Sequence, residues 1–213
     1  MDSFNPAPDN PRQATRVMAH FSKMMRTLIL ICICVNRCYL LLMQSQMTVR
    51  LLKLADVEDY RMIRLAALKT EPASFGAVYA SEAERPLRAY QERLASSRIF
   101  GAYDDKTERI VGMVGFRQEE GLKDQHKGYL WGFYVEPDYR GGGVGRALIA
   151  ALLEAAAGIV EQVHLSVVAD NVNTIAFYER LGFIRYGTEP RALKTEGHYM
   201  DEVLMVMFLC PHH

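Results

Sequence analysis

The run Arg140-Gly141-Gly142-Gly143-Val144-Gly145-Arg146 packs four glycines between two cations. Glycine lets a backbone approach a ligand closely and adopt positive φ. The run lies between a strand-like and a helix-like segment. The unpaired N–H groups of a first helical turn would then face an anion. Two linked phosphates suit such a site, with Arg140 and Arg146 as countercharge. No Gly-Lys-Ser/Thr closes the loop, so it is not a Walker A sequence. Leu148 stands where a dinucleotide fingerprint needs its third glycine. A turn that needs glycine only for its own geometry remains the alternative.

Arg140-x-x-Gly143-x-Gly145, preceded by Phe133-Tyr134-Val135-Glu136-Pro137, resembles the coenzyme A pyrophosphate signature of the GNAT superfamily of N-acetyltransferases. The likeness extends over roughly residues 47–209, with its specific motifs in 128–183. It implies acetyl-CoA as cosubstrate, held by Arg140, Gly141, Gly142, Gly143, Val144, Gly145 and Arg146. It also implies that strand 128–135 splays from the strand at Val163–Val168. The pantetheine arm would lie in that gap against the open backbone of Phe133, Tyr134 and Val135. The Val135 N–H would meet the acetyl carbonyl.

A second motif, Asn171-x-x-Thr174-x-Ala176-Phe177-Tyr178-x-x-x-Gly182-Phe183, is similar to the family's following helix. The resemblance gives Asn171 a pantetheine contact and puts the Tyr178 hydroxyl near the thioester sulfur. Tyr178 lies two helical turns beyond Asn171, on the same side. The chemistry asks for such a group, because an amine attacks, an oxyanion forms and a thiolate leaves. A thiol has a pKa of about 8.5 and a tyrosine about 10, so a positioned phenol can protonate the thiolate. A core tyrosine at a helix end is the bland alternative.

The attacking amine must be neutral, so a base or a water chain is expected. Glu71, Glu119, Glu120, Glu136 and His198 are candidates, and the sequence does not choose among them. Glu71 and Phe75 sit at a helix–loop junction where the family builds an acceptor wall. Tyr199 ends a second plausible acceptor loop, Glu189–Tyr199, which resembles one in bacterial members acting on small amines or amino acids. Trp131 reads as packing rather than as a stacking surface.

These residues need a scaffold. Thr48–Lys53 reads as a strand. A helix follows, capped by Asp56, with Met62, Leu65 and Ala66 at helical spacing to about Lys69. Glu71-Pro72 ends it, and 73–80 reads as a loop. Residues 86–96 form a second helix with Leu87, Tyr90 and Leu94 on one face. Arg98–Tyr103 and Arg109–Gln118 flank a hairpin turn at 104–107. The strand Gly128–Val135, helix Val144–Gly158, strand Val163–Val168 and helix Val172–Leu181 carry the motifs. Phe183–Thr188 and Tyr199–Leu209 are the last strands. The expected fold class is α/β: a mixed, mostly antiparallel sheet flanked by helices, with splayed central parallel strands.

The chain has 213 residues, half of them apolar, and a formal net charge of zero. A core of ordinary size can form, and no basic field for nucleic acid exists. Residues 1–46 hold five Lys/Arg against Asp2 and Asp9, a net +3, and the remainder holds 20 against 23, a net −3. This extension reads as disordered up to residue 23 and then as apolar over 24–43. Its uninterrupted stretch Leu28–Val35 is too short for the ~20 residues of a span, and Arg37 would be costly inside one. The expected division is an extension, 1–46, and an acetyltransferase domain, 47–213, with Met47 as the natural start. Cys32, Cys34 and Cys38 lack partners at ligand spacing, so no metal is expected. The cysteine-poor body points to a reducing, cytoplasmic setting.

The reading is an N-acetyltransferase acting on a primary amine of a small molecule or amino acid, without nucleic-acid or membrane partners and with room for a homodimer. A protein or peptide N-terminal acetyltransferase, a non-catalytic acyl-CoA-binding module and a membrane-tethered protein are the alternatives.

Overall fold

Short β-branched and aromatic runs alternate with amphipathic ones from residue 47 onward, and each becomes an element of one layered sheet. The computed structural model describes residues 47–195 and 197–209. The extension 1–46, with its apolar run and cysteine cluster, lies outside them. Among the described residues, no helix is long and apolar enough to cross a membrane.

The strands are β1 (Met47–Leu51), β2 (Arg98–Asp104), β3 (Ile110–Gln118), β4 (Lys127–Val135), β5 (Gln162–Val168), β6 (Ile184–Thr195) and β7 (His198–Phe208). They form one sheet in the order β1-β2-β3-β4-β5-β7-β6. Every neighbouring pair is antiparallel except β4 and β5. The helices are α1 (Val57–Thr70), α2 (Tyr79–Ala83), α3 (Leu87–Ser96), α4 (Val144–Ala157) and α5 (Val172–Arg180). The expected α/β class, mostly antiparallel with a central parallel pair, is the fold observed.

The sheet separates two cores. Val144, Leu148 and Leu152 of α4 and Ile175 and Tyr178 of α5 pack one face. Tyr60 and Ile63 of α1 and Tyr90 and Leu94 of α3 pack the other, with Tyr60 and Tyr90 meeting edge to face at 5.8 Å. Such aromatic pairs add to plain area burial.

Four local expectations change. Met62 of α1 is exposed, and the buried stripe is Val57, Tyr60, Ile63, Arg64, Ala67 and Leu68. Arg64 turns inward because a buried carboxylate, Glu82 of α2, waits there. Asp56 precedes α1 without capping it. Its carboxylate instead accepts from the Lys53 N–H at 2.7 Å and from both Arg50 Nη atoms at 2.8 Å. The 73–80 loop contains a 3-10 turn, Pro72–Ser74, and the start of α2. The supposed loop Glu189–Tyr199 is mostly hairpin, because β6 runs on to Thr195. The register slips between Glu189 and Leu193, where Arg191 takes φ 55° and donates its N–H to Asp201 at 2.7 Å. That irregularity absorbs Pro190 and lets the strand resume.

Candidate active site

β4 and β5 pair only at Lys127↔Gln162, Gly128↔Val163 and Tyr129↔His164. Beyond Tyr129 they diverge, and the gap becomes a cleft of about 750 Å³. A bulge helps to set its shape. Between Met113↔Tyr134 and Gly115↔Trp131, β4 spends one residue more than β3, and Gly132 adopts φ 65°. Tyr134 and Val135 are both buried because they face opposite cores, Tyr134 with Tyr60 and Ile63 and Val135 with Leu148 and Leu152. Glu136 donates its N–H to Val111 of β3 at 2.8 Å. Alternation then turns the Val135 N–H and C=O the other way, towards the gap.

The glycine run opens α4 at the cleft's rim. Gly143 is the N-cap, at φ 90°, and supplies no side-chain cap. The N–H groups of Val144, Gly145 and Arg146 are therefore left facing outward, the arrangement that receives anions. A Cβ on Gly145 would stand 3.0 Å from the Phe133 ring and 3.4 Å from that of Phe177. Glycine thus lets the helix start sit against the aromatic floor.

Arg140, Arg146 and Arg180 bring positive charge to the cleft, and Glu71 is its one lining carboxylate among the described residues. This balance favours an anionic occupant. Arg140 is not idle. Its Nε donates to the Val135 carbonyl at 2.9 Å, and its Nη1 pairs with Glu71 at 2.9 Å.

Tyr178 lines the same cleft and is 3% exposed. Its ring is held by Phe133 at 5.8 Å, Phe177 at 5.5 Å and Phe183 at 5.4 Å. Burial pushes its phenol pKa far above the ordinary tyrosine value, and Tyr129 adds to the shift. No hydrogen bond holds its hydroxyl among the described residues. The site can thus present a neutral phenol beside a groove built for an elongated anion.

Asn171 caps α5, its Oδ1 accepting from the Thr174 N–H at 3.2 Å, and its Nδ2 reaches Ser74 at 3.4 Å. The cleft brings together Phe133, Tyr134, Val135, Arg140, Gly141, Gly143, Gly145, Arg146, Asn171, Tyr178, Glu71 and Phe75. It does not bring in the others. Gly142 lies off the lining, and the Val144 side chain is buried in the core, leaving only its N–H to serve. Tyr199 stands 53% exposed on the distal hairpin, beneath Arg191 and Lys194. Of the candidate bases, only Glu71 lines the cleft. Glu136 pairs with Arg109 at 3.3 Å and Glu119 lies 3.7 Å from Arg117.

Trp131, Ser74 and Arg180 line the cleft without having been assigned a binding role from sequence. Only Ser74 carried a signal, three residues beyond Glu71 at the same junction. Trp131 does pack, its ring lying over Gly115, but it also shows a surface to the cleft.

Comparison with known proteins gives a consistent picture. The profile of the Acetyltransferase (GNAT) family matches residues 64–183. N-alpha-acetyltransferase RimI of Mycobacterium tuberculosis is 31% identical over 145 residues, covering 60% of this chain and 89% of that protein. A mycothiol acetyltransferase of Kineococcus radiotolerans is 41% identical over 80 residues, covering 38% of this chain but only 25% of its own length. Among solved structures, yncA from Salmonella typhimurium with its cofactor acetyl-CoA superposes with a TM-score of 0.64 at 20% identity. That match covers 78% of this chain and 96% of the other.

Proposed function

We propose, from the premise that this chain belongs to the acetyltransferase (GNAT) family, that it moves the acetyl group of acetyl-CoA to the primary amine of a small molecule or amino acid. The donor brings an activated thioester, and the chain's own residues do the rest. The first-turn amides of α4 and the arginines Arg140 and Arg146 grip the pyrophosphate. The open edge of β4 at Phe133–Val135 takes the pantetheine arm, with Asn171 closing from α5. The Val135 N–H is aimed at the acetyl carbonyl, where negative charge develops. Tyr178 holds a proton for the departing thiolate, since a phenol is neutral at pH 7. Glu71 takes the proton of the amine.

One observation carries this reading. The amide-lined loop and the buried phenol open into a single cleft, made by the divergence of β4 and β5. The domain that acts is 47–213, and the cysteine-poor body suits a reducing cytoplasm. A small acceptor is supported by the likeness to a mycothiol acetyltransferase. The likeness to RimI, named an N-alpha-acetyltransferase, favours a second reading, with a protein N-terminus as acceptor.

The test is free-thiol release from acetyl-CoA across amino acids, other small amines and short peptides. Release with small amines supports the first reading. Release with peptides alone moves the assignment to the second. Release with none would leave an acyl-CoA-binding module and sink both.

A further inference from the structure

Tyr139 stands one residue before Arg140, and the transfer chemistry leaves it no task. It ends the 3-10 turn Pro137–Tyr139 that leads from β4 to the glycine loop. Its ring is partly buried against the α4 core. Its hydroxyl donates to Asp104 Oδ2 at 2.7 Å. Asp104 closes β2, which β3 separates from β4. One hydrogen bond therefore ties the turn after β4 to the far side of the neighbouring hairpin.

Asp104 is a fixed point. Its N–H donates to the Arg109 carbonyl at 2.9 Å, and its carbonyl accepts from the Glu108 N–H at 2.8 Å. Its Oδ1 accepts from the N–H groups of Lys106 at 2.8 Å and Thr107 at 3.2 Å. One carboxylate oxygen thus holds the β2–β3 turn while the other holds Tyr139. A short bond from a hydroxyl to an ionised carboxylate is stronger than one between neutral groups. The Tyr139 hydroxyl holds the Asp104 carboxyl below the usual carboxylate range, and Asp104 raises the phenol in return. At neutral pH the donor keeps its proton and the acceptor its charge.

The loop beyond Tyr139 needs such an anchor. Gly141 and Gly143 take φ 76° and 90°. A Cβ on either would meet nothing within 4 Å, and one on Gly142 would meet only the Tyr139 carbonyl, at 3.7 Å. Packing does not wedge this run, and glycine has the most backbone freedom to lose. Its position is set from its two ends. Val144, buried in the core, fixes the far end. At the near end, Glu136 enters the turn tied to the same hairpin, through its N–H to Val111 at 2.8 Å and its carboxylate to Arg109 at 3.3 Å. Tyr139 fixes the exit, directly before the arginine that lines the cleft.

We infer that Tyr139 and Asp104 are positioning residues of the donor site. Their bond holds the front of the glycine loop, and with it the arginine and the first-turn amides that grip the pyrophosphate. The inference rests on the acetyl-transfer reading above for the identity of that anion, coenzyme A. Its effect falls on donor affinity rather than on the transfer step.

The full chain is titrated calorimetrically with coenzyme A, and kcat and KM for acetyl-CoA are measured with an amine that supports thiol release. Tyr139→Phe keeps the ring and loses the bond. It should raise the coenzyme A Kd and the acetyl-CoA KM by about fivefold or more, with kcat within about twofold of the parent. Asp104→Asn keeps an oxygen for the turn but loses the charge, and should raise Kd by about threefold. Adding Tyr139→Phe to it should cost little beyond Tyr139→Phe alone, because both remove one interaction. Tyr103→Phe is the control. Its hydroxyl donates to Asp59 at 3.1 Å from the same strand, on the other core's side. It removes the same kind of bond and should lower the melting temperature without moving coenzyme A affinity. Should Tyr139→Phe fail to fold, Asp104→Asn against Tyr103→Phe decides. Affinity unchanged in Tyr139→Phe, or weakened as much in Tyr103→Phe, leaves the bond a stabiliser of the fold and overturns the positioning role. A parent that binds no coenzyme A overturns this role together with acetyl transfer. A parent that binds it, loses affinity with Tyr139→Phe and releases no thiol with any amine keeps the anchor and sinks the transfer.

Discussion

Arg140 Nη1 lies 2.9 Å from Glu71 Oε1, so the cleft's lining carboxylate is held by the arginine that opens the glycine loop. Arg140 also donates to the Val135 carbonyl, placing its guanidinium across the edge of β4 proposed for the pantetheine arm. Both partners of the pair are more than a third exposed, so it contributes at most about 1 kcal/mol. A pyrophosphate at the start of α4 competes for Arg140 with a stronger, doubly charged partner. Donor binding would then release Glu71 to the amine.

Glu71→Gln should lower kcat by about 10²-fold or more, the usual scale for a lost general base. Acetyl-CoA binding should stay equal or tighten by less than about fivefold, because Arg140 is freed. Steady-state kinetics with calorimetric titration of acetyl-CoA checks both. A variant turning over within twofold of the parent removes Glu71 from the mechanism.

Gly143→Ala separates backbone from space. A Cβ there meets nothing within 4 Å, so any cost comes from φ 90° alone. That cost is about 1–2 kcal/mol for an L residue. Urea denaturation should find a loss of this size, and the acetyl-CoA dissociation constant should rise several-fold as the loop relaxes. Unchanged affinity would place the phosphates elsewhere.

Which parts were legible in the sequence follows from where each one's information resides. The glycine loop at the cleft's rim is backbone chemistry, and glycines with a following helix announce it. That Tyr178 and Asn171 line one cleft is legible through their spacing along the helix. Arg64 is not, because apolar periodicity pointed to Met62, Leu65 and Ala66 and cannot register a charge turned inward to meet Glu82. The bulge at Gly132 depends on how β4 pairs with β3, a relation between strands rather than within one. Glu189–Tyr199 reads as a loop, yet Arg191 and Asp201 hold that segment in the hairpin. Tyr199 was misplaced for the same reason.

Tyr178→Phe should lower kcat by about 10²–10⁴-fold while leaving acetyl-CoA affinity nearly unchanged, since in the proposed mechanism the hydroxyl serves the leaving group rather than the cofactor's grip. The phenol has no hydrogen-bond partner among the described residues, so removing it breaks no bond in the fold. Thermal melting of the variant should fall within a degree or two of the parent, or rise slightly. Parallel loss of donor binding would contradict its role as the acid.

The same substitution isolates a pH effect on stability. Burial raises the folded-state pKa of Tyr178 above its value of about 10 in an unfolded chain. Below pH 10 both states carry the proton, and its contribution is fully present. Above pH 10 the unfolded chain releases the proton while the folded one keeps it, so stability declines towards the folded pKa. Tyr60, Tyr90, Tyr103 and Tyr139 are shifted upward as well, so the parent's own alkaline decline is a composite. The difference between parent and Tyr178→Phe cancels those shared groups. Their unfolding free energies should differ by a constant up to about pH 9.5. From pH 10 the variant should gain on the parent by about 1.4 kcal/mol per pH unit, one proton's worth. Denaturant titrations at half-unit steps from pH 8 to 11.5 measure it. Parallel curves throughout would mean that Tyr178 ionises in the folded chain as readily as in water, and that the cleft does not keep its phenol neutral.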